Sequence, residues 1–198
     1  MRSKGGEDIL RGRERTVYFA TANEGKYREV ARIASEFGIG LKQLKRGKME
    51  IQSDDLEEIA SFAAKQACEY SRQQVAAEDS GLFIHTLGGF PGPYSAYVYK
   101  TIGNNGILRL MQSTHGRDAH FQATVAFCKP RAQPVCFTGL VSGSISRRLI
   151  GRRGFGFDPI FTPKEGDGRT FAQMGTDEKN LLSHRARAFV KLFNWLTT

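Results

Sequence analysis

Residues 16–38, TVYFATANEGKYREVARIASEFG, decide the fold class. Thr16 to Thr21 is β-branched and aromatic, as in a short strand, and the small-residue turn Thr21–Lys26 follows. Val30, Ile33, Ala34 and Phe37 then recur at i, i+3, i+4 and i+7, which predicts a helix with one apolar face, ended by Gly38. A strand, a tight turn and an amphipathic helix form the repeating unit of α/β proteins. Such a turn offers backbone N–H groups and a positive dipole end to an anion, and Lys26 adds a mobile charge. The spacing is not that of a P-loop. By itself the segment reads more simply as an ordinary βα turn with a surface lysine.

Working outward, residues 50–65 (EIQSDDLEEIASFAAK) carry a second helical stripe, Leu56, Ile59, Ala60, Ala63 and Ala67, with Asp54 and Glu57 spaced as a capping box. Glu50 precedes it in an extended stretch, where its carboxylate can reach a shared metal. Lys65 sits towards the helix's far end, where a charged side chain is ordinarily solvated. Residues 77–94 (AEDSGLFIHTLGGFPGPY) place Glu78 and Asp79 at the end of a short apolar run, just before a glycine- and proline-rich loop. Carboxylates at a strand end are one way to hold Mg²⁺, which takes one or two protein carboxylates and leaves its other positions to water and phosphate oxygens. A solvated acidic turn is the alternative. Leu82–Leu87 reads as a continuing strand, 105–112 as a short helix, and Phe121, Ala123, Val125 and Phe127 as a half-buried strand with a hairpin partner at 134–142.

The C-terminal third supplies GFGFDPIF (154–161), a glycine-hinged aromatic loop with one acid, suited to stacking on a ring. Lys179 and then Ser183-His184-Arg185 follow. Ser183 is placed to cap a last helix with the stripe Ala186, Phe189, Val190, Phe193 and Leu196. That puts two basic residues in a first turn, where cations are disfavoured, so an anion or electron-rich ligand is expected to compensate them.

Composition bounds the rest. The 198 residues are 40% hydrophobic, enough for one well-cored domain, and the net charge is +9. Three cysteines without a CxxC pair point to neither a disulfide framework nor a zinc site, and fit a reducing interior. No apolar run approaches a membrane span. Met1–Arg15, polar and without periodicity, reads as a loosely ordered extension ahead of a domain at 16–198. The basic balance admits a nucleic-acid partner, but Lys and Arg are scattered apart from Arg147-Arg148 and Arg152-Arg153, and no nucleic-acid-binding signature appears.

In order, the chain contains TxNxxK (21–26), EIQ…LEE (50–58), EDSGL (78–82), GFPGPYS (89–95), GFGFDPIF (154–161), TFAxM (170–174) and EKNxxSHR (178–185). This set resembles the inosine/xanthosine triphosphate pyrophosphatase family, in its archaeal-type form, across 17–196. The resemblance implies an α/β fold with an elongated mixed sheet, flanking helices and two lobes around a central cleft. It also implies a cytoplasmic, usually homodimeric enzyme that hydrolyses ITP, dITP and XTP to monophosphate and pyrophosphate with Mg²⁺, and has neither nucleic acid nor membrane as partner. Residue by residue, Glu50 and Asp79 would hold Mg²⁺, and Asp79 would take the proton of the attacking water. Thr21, Ala22, Asn23, Glu24, Gly25 and Lys26 would form a substrate loop. Lys65, Ser80, Phe155, Gly156, Phe157, Asp158, Lys179, His184 and Arg185 would bind base and phosphates. Three positions depart from the usual pattern: Glu78 for Asp, Phe157 for Tyr or Trp, and Gln173 for Glu.

Overall fold

The computed structural model describes residues 16–45 and 51–198, so Glu50 and Met1–Arg15 lie outside the described residues. The strands are β1 (Thr16–Ala20), β2 (Gly40–Leu44), β3 (Val75–Ile84), β4 (Pro91–Gly92), β5 (Asp118–Cys128), β6 (Val135–Ile145) and β7 (Phe161–Pro163). The helices are α1 (Glu24–Glu36), α2 (Leu56–Ser71), α3 (Ser95–Thr101), α4 (Gly103–Leu110), α5 (Thr176–Leu182) and α6 (His184–Thr197). The sheet runs β2-β1-β3-β5-β6-β7, with β4 added to β3. β1 pairs in parallel with β2 and β3, and every other pairing is antiparallel. The expected mixed sheet with flanking helices is present.

Alternation along β3 assigns its faces. Ala76 belongs to a core with Phe19, Val30, Ile33, Val125, Phe127, Phe189 and Phe193, so that face is covered by α1 and α6. Val75 and Ala77 belong to a core with Ala60, Ala63, Ala67 and Ala126, so the other face is covered by α2. Alanines along α2 let its backbone lie close to the sheet. β3, β5 and β6 continue past this region, and their far halves build a separate core around Phe121, Phe161 and Phe171. Cores at the two ends of the long strands give the fold its two-lobed character. No helix among the described residues is long and apolar enough to cross a membrane.

Several local expectations change. Glu78 and Asp79 do not end a strand, because β3 runs unbroken to Ile84 and a 3-10 turn at His85–Leu87 replaces the expected continuation. What ends there is pairing with β1: Ala20 lies opposite Ala77, and β4 starts opposite Leu82, so residues 78–81 fall between two ladders. The cap of α2 is Asp55, which accepts from Glu57 N at 2.8 Å, rather than Asp54. β5 is buried on both faces from Ala123 onward, because helices cover both sides of it.

The GFPGPYS motif works on the backbone. Ser95 Oγ accepts from Leu82 N at 2.8 Å and donates to Gly92 O at 2.7 Å, tying β4 to β3 inside the protein. A Cβ on Gly81 would collide with Gly92 O. The motif therefore explains the glycine of EDSG as a close approach of two backbones. Gly81→Ala is expected to lower stability by about 1–3 kcal/mol, as overpacking does, seen as an earlier urea midpoint. An unchanged midpoint would mean that β4 is not seated as described.

Candidate active site

The site lies where β1 stops. Thr21–Lys26 leaves the carboxyl end of β1, and Asn23 caps α1, accepting from Gly25 N at 2.9 Å and Lys26 N at 3.1 Å. Thr21 Oγ1 accepts from Asn23 N, which fixes the turn. The first-turn amides are thus held by Asn23, and Lys26 is the part of the loop that reaches inward. Glu24 points outward and pairs with Lys45 at 2.8 Å.

From Lys26 a line of six charges crosses the protein, alternating in sign. Lys26 Nζ lies 2.7 Å from Glu78 Oε2, and Glu78 Oε1 lies 3.1 Å from Arg185 Nη2. Arg185 Nη1 lies 2.6 Å from Glu29 Oε2, and Glu29 Oε1 lies 2.8 Å from Lys179 Nζ. Lys179 Nζ lies 2.7 Å from Asp158 Oδ2, which also accepts from Phe155 N at 2.9 Å. Apart from Lys26, every member is buried. Burial works against ionisation of both glutamates, yet Arg185 with Lys26 holds Glu78, and Arg185 with Lys179 holds Glu29, below the ordinary carboxylate range. At Asp158 burial outweighs Lys179 and raises the carboxyl.

Around this line stand aromatic rings. Phe155 covers the cations, with its ring centre 4.8 Å from Lys179 Nζ and 5.4 Å from Arg185 Cζ. The same ring packs on Gly25, where a Cβ would come within 2.7 Å of it. His184 stacks on Phe121 at 4.6 Å and is buried. Burial first, then Arg185 and Lys179, push its pKa well below the ordinary value, so the ring is neutral at pH 7. His184 Nδ1 and Arg185 Nε are buried without a hydrogen-bond partner among the described residues. Buried polar atoms normally find partners, so two neighbouring exceptions mark a place prepared for a ligand.

Lys26, Ser80, Phe155, Asp158, Lys179, His184 and Arg185 therefore converge, with Ser80 Oγ accepting from Arg185 Nη2 at 3.2 Å. Gly156 is held from behind, its carbonyl accepting from Asn104 Nδ2 at 3.1 Å. Phe157 does not stand in the cluster; it is buried in the far core, edge-on to Tyr99 at 5.5 Å. Lys65 is placed beside Cys128, opposite Val75, towards the start of β3. Asp79 alternates with Glu78 and Ser80 and so belongs to the α2 face of β3, partly exposed between the two ladders. At the start of α6 Arg185 is paired internally with Glu29 and Glu78, and His184 is neutral. Gln173 keeps a structural role: its side chain accepts from Thr170 N at 2.9 Å and caps a 3-10 turn. Glu29 escaped the motif reading. An acid three residues after Lys26 and four before Ile33, on the buried stripe of α1, was the available signal.

The sequence matches the Ham1 family over residues 17–195. The chain belongs to the Ham1 family. It is 48% identical to the dITP/XTP pyrophosphatase of Methanopyrus kandleri, over 90% of this chain and 95% of that protein. It is equally 48% identical to the dITP/XTP pyrophosphatase of Thermococcus kodakarensis, with the same coverage of both chains. Among solved structures, a HAM1 protein from Coxiella burnetii superposes with a TM-score of 0.80 at 27% identity, covering 92% of this chain and 98% of that one. The Staphylococcus aureus Ham1 protein gives 0.77 at 29%, covering 91% and 97%. This Ham1 chain thus shares about nine-tenths of its length with these proteins.

Two measurements test the electrostatics. Glu29→Ala removes the carboxylate between two buried cations and should cost about 3–5 kcal/mol, as breaking a buried pair does; a loss under about 1 kcal/mol, the scale of an exposed pair, would contradict that burial. For His184 the folded pKa is depressed, so the unfolded chain binds the extra proton and stability is lost as pH falls below ~6.5. Between pH 6.5 and 5 the wild type should lose up to about 1.4 kcal/mol per pH unit more than His184→Asn. Parallel curves for the two proteins would show that His184 is not buried neutral.

Proposed function

We propose that this Ham1 protein hydrolyses non-standard purine nucleoside triphosphates, dITP and XTP together with ITP, to the monophosphate and pyrophosphate. The observation that carries this reading is the convergence of Lys26, Lys179, His184 and Arg185, from three separate helices, at the end of β1. It is supported by kinship with proteins named dITP/XTP pyrophosphatase. A cleft of about 290 Å³ lined by Glu29, Arg153, Gly154, Phe171 and Lys179 adjoins it.

The purine would lie on the α6 face, against Phe155, with His184 Nδ1 and Arg185 Nε addressing its edge. Both Nη atoms of Arg185 are committed to Glu29, Glu78 and Ser80, so its guanidinium is fixed before the base arrives. A fixed donor bonds a 6-oxo group and meets another donor on adenine; sites built on such a bond discriminate by ~10⁴ or more. Guanine also has the 6-oxo group, so its exclusion needs contacts at the 2-position. The triphosphate would extend past Thr21–Lys26 towards residues 78–81, where the step between ladders brings Asp79 near the same loop. Lys26, partly exposed, would share the charge developing on the phosphates.

Asp79 is a hard oxygen donor of the kind Mg²⁺ takes, and two carboxylates suffice when phosphate and water complete the shell. Asp79 and Glu50 would hold the ion, and when bound it supplies Lewis-acid charge neutralisation. Asp79 would also orient the attacking water and accept its proton. The same reading takes the protein to be a cytoplasmic homodimer that cleanses the nucleotide pool.

Pyrophosphate release from dITP and XTP in Mg²⁺ should far exceed that from ATP and GTP, and should vanish in EDTA. Asp79→Asn should keep its melting temperature and lose ~10²–10⁴-fold in kcat. Equal kcat/KM across all four purines would defeat the substrate assignment. An Asp79→Asn enzyme with a tenth or more of wild-type kcat, far above the range expected for a lost base, would remove Asp79 from the chemistry.

A further inference from the structure

Beside the cleft, the chain carries a concentration of arginine to which the proposed hydrolysis assigns no role. Residues 102–117 and 143–157 together contain Arg109, Arg117, Arg147, Arg148, Arg152 and Arg153, and not one aspartate, glutamate or lysine. The fold brings the two segments side by side, since Arg117 donates to Met111 O at 3.3 Å, at the end of α4, and to Ser146 O at 2.6 Å, just after β6. Between them lies a groove of about 500 Å³ lined by Asn105, Leu108, Arg109, Gln112 and Arg147.

Three features make this groove more than a solvated basic surface. Asn105, Leu108 and Arg109 fall at i, i+3 and i+4 on one face of α4, and Gln112, in the turn just past the helix's end, lines the same groove with Arg147. Neither Arg109 nor Arg147 forms an ion pair among the described residues, whereas the arginines at 32, 169, 185 and 187 all do. The negative C-terminal end of α4, which would repel an anion, is already engaged by Arg117 through Met111 O. Burial first, and then the neighbouring charge of Arg147, lower the pKa of Arg117. The place is electropositive, its cations are arginines suited to bidentate oxyanions, and no acid from the flanking segments relieves it.

We propose that the groove between α4 and residues 146–148 is a second anion site, for a small phosphate-class ligand such as inorganic phosphate or pyrophosphate. A phosphate-class anion fits because two guanidiniums and two amides converge on a concave space. A nucleic acid fits less well, because no aromatic ring lines the groove to stack on bases. The site is linked to the cleft. Asn104, at the start of the same helix, holds Gly156 O, and Gly156 lies in the turn that presents Phe155 to Lys179 and Arg185. An anion drawing α4 and residues 146–148 together acts on the helix that braces this turn.

The test is calorimetric titration of the full chain with inorganic pyrophosphate in EDTA, run on the wild type, Lys26→Ala and the double variant Arg109→Gln/Arg147→Gln. Both arginines are exposed, so the double variant should keep its melting temperature and its bound equivalent in the cleft. The wild type should bind two equivalents. The double variant should lose one, and Lys26→Ala should weaken the other by tenfold or more. A single equivalent in the wild type, or two retained in the double variant, overturns the second site. So does retention of a single-stranded oligonucleotide that depends on Arg109 and Arg147 and that pyrophosphate does not compete away. Should the double variant misfold, Arg109→Lys/Arg147→Lys keeps charge but loses the bidentate fork, and unchanged stoichiometry and affinity there count against the assignment. Hydrolysis of dITP by the wild type is measured separately, so failure of the anion site and failure of the proposed activity give different results.

Discussion

Six alternating charges, Lys26–Glu78–Arg185–Glu29–Lys179–Asp158, form the constraint on which the rest of the site depends. Transferring each ion from water costs several kcal/mol, and only contacts of good geometry offset that. Here each interior member touches two partners of opposite sign within 3.1 Å or less. The line joins α1, β3, the 154–158 turn, α5 and α6, so none of these can move without parting an ion pair in a dry interior. Its sum is zero. A hydrophobic replacement of similar volume could hold the elements as firmly, but it could not present a guanidinium whose orientation is settled before a ligand arrives.

A second constraint is the early end of β1. In a parallel arrangement the carboxyl ends of strands are where ligands gather, because helix starts and turns converge there. β1 stops opposite Ala77, while β3 continues to Ile84 as the backbone of the far core. That mismatch puts Glu78 and Ser80 on the α6 face and Asp79 on the α2 face, within three residues. One dipeptide, Glu78-Asp79, thus faces two ways: Glu78 joins the buried charge line, and Asp79 stands on the α2 face, where the proposed chemistry would use it.

Much of this was legible in the sequence. The α1 stripe, the Ser183 cap and the β5–β6 hairpin could be read from periodicity, and the convergence of the TxNxxK, EDSG, GFGFDP and SHR segments was implied by the family resemblance that their order carries. Less legible were features that depend on contacts between distant segments. Glu29 reads as a surface acid until Lys179 and Arg185, some 150 residues away, are brought to it. Phe157 reads as a stacking ring like Phe155, but two residues along a tight turn reverse the direction of a side chain and send it into the far core. The boundary of β3 was misplaced because an acidic pair resembles a strand end when the covering ion pairs cannot be seen. The GFPGPYS segment showed in the sequence only a rigid glycine- and proline-rich loop; its work as a backbone clasp through Ser95 depends on contacts with β3.

The internal neutrality of the charge line has a consequence for how an anionic substrate finds the cleft. Paired charges cancel beyond a few ångströms, so Arg185 and Lys179 act at contact range and contribute little to long-range attraction. The net charge of +9 must then act through cations without acidic partners. Arg109, Arg147, Arg148 and Arg152 are such cations among the described residues, and Arg153 borders the cleft itself. With a screening length of about 8 Å at physiological salt, only charges near the mouth matter for approach. The protein thus separates two tasks that one set of cations could not perform together. A self-neutralised, buried line fixes the geometry of recognition, and long-range attraction falls to exposed cations at the mouth, of which Arg153 is one.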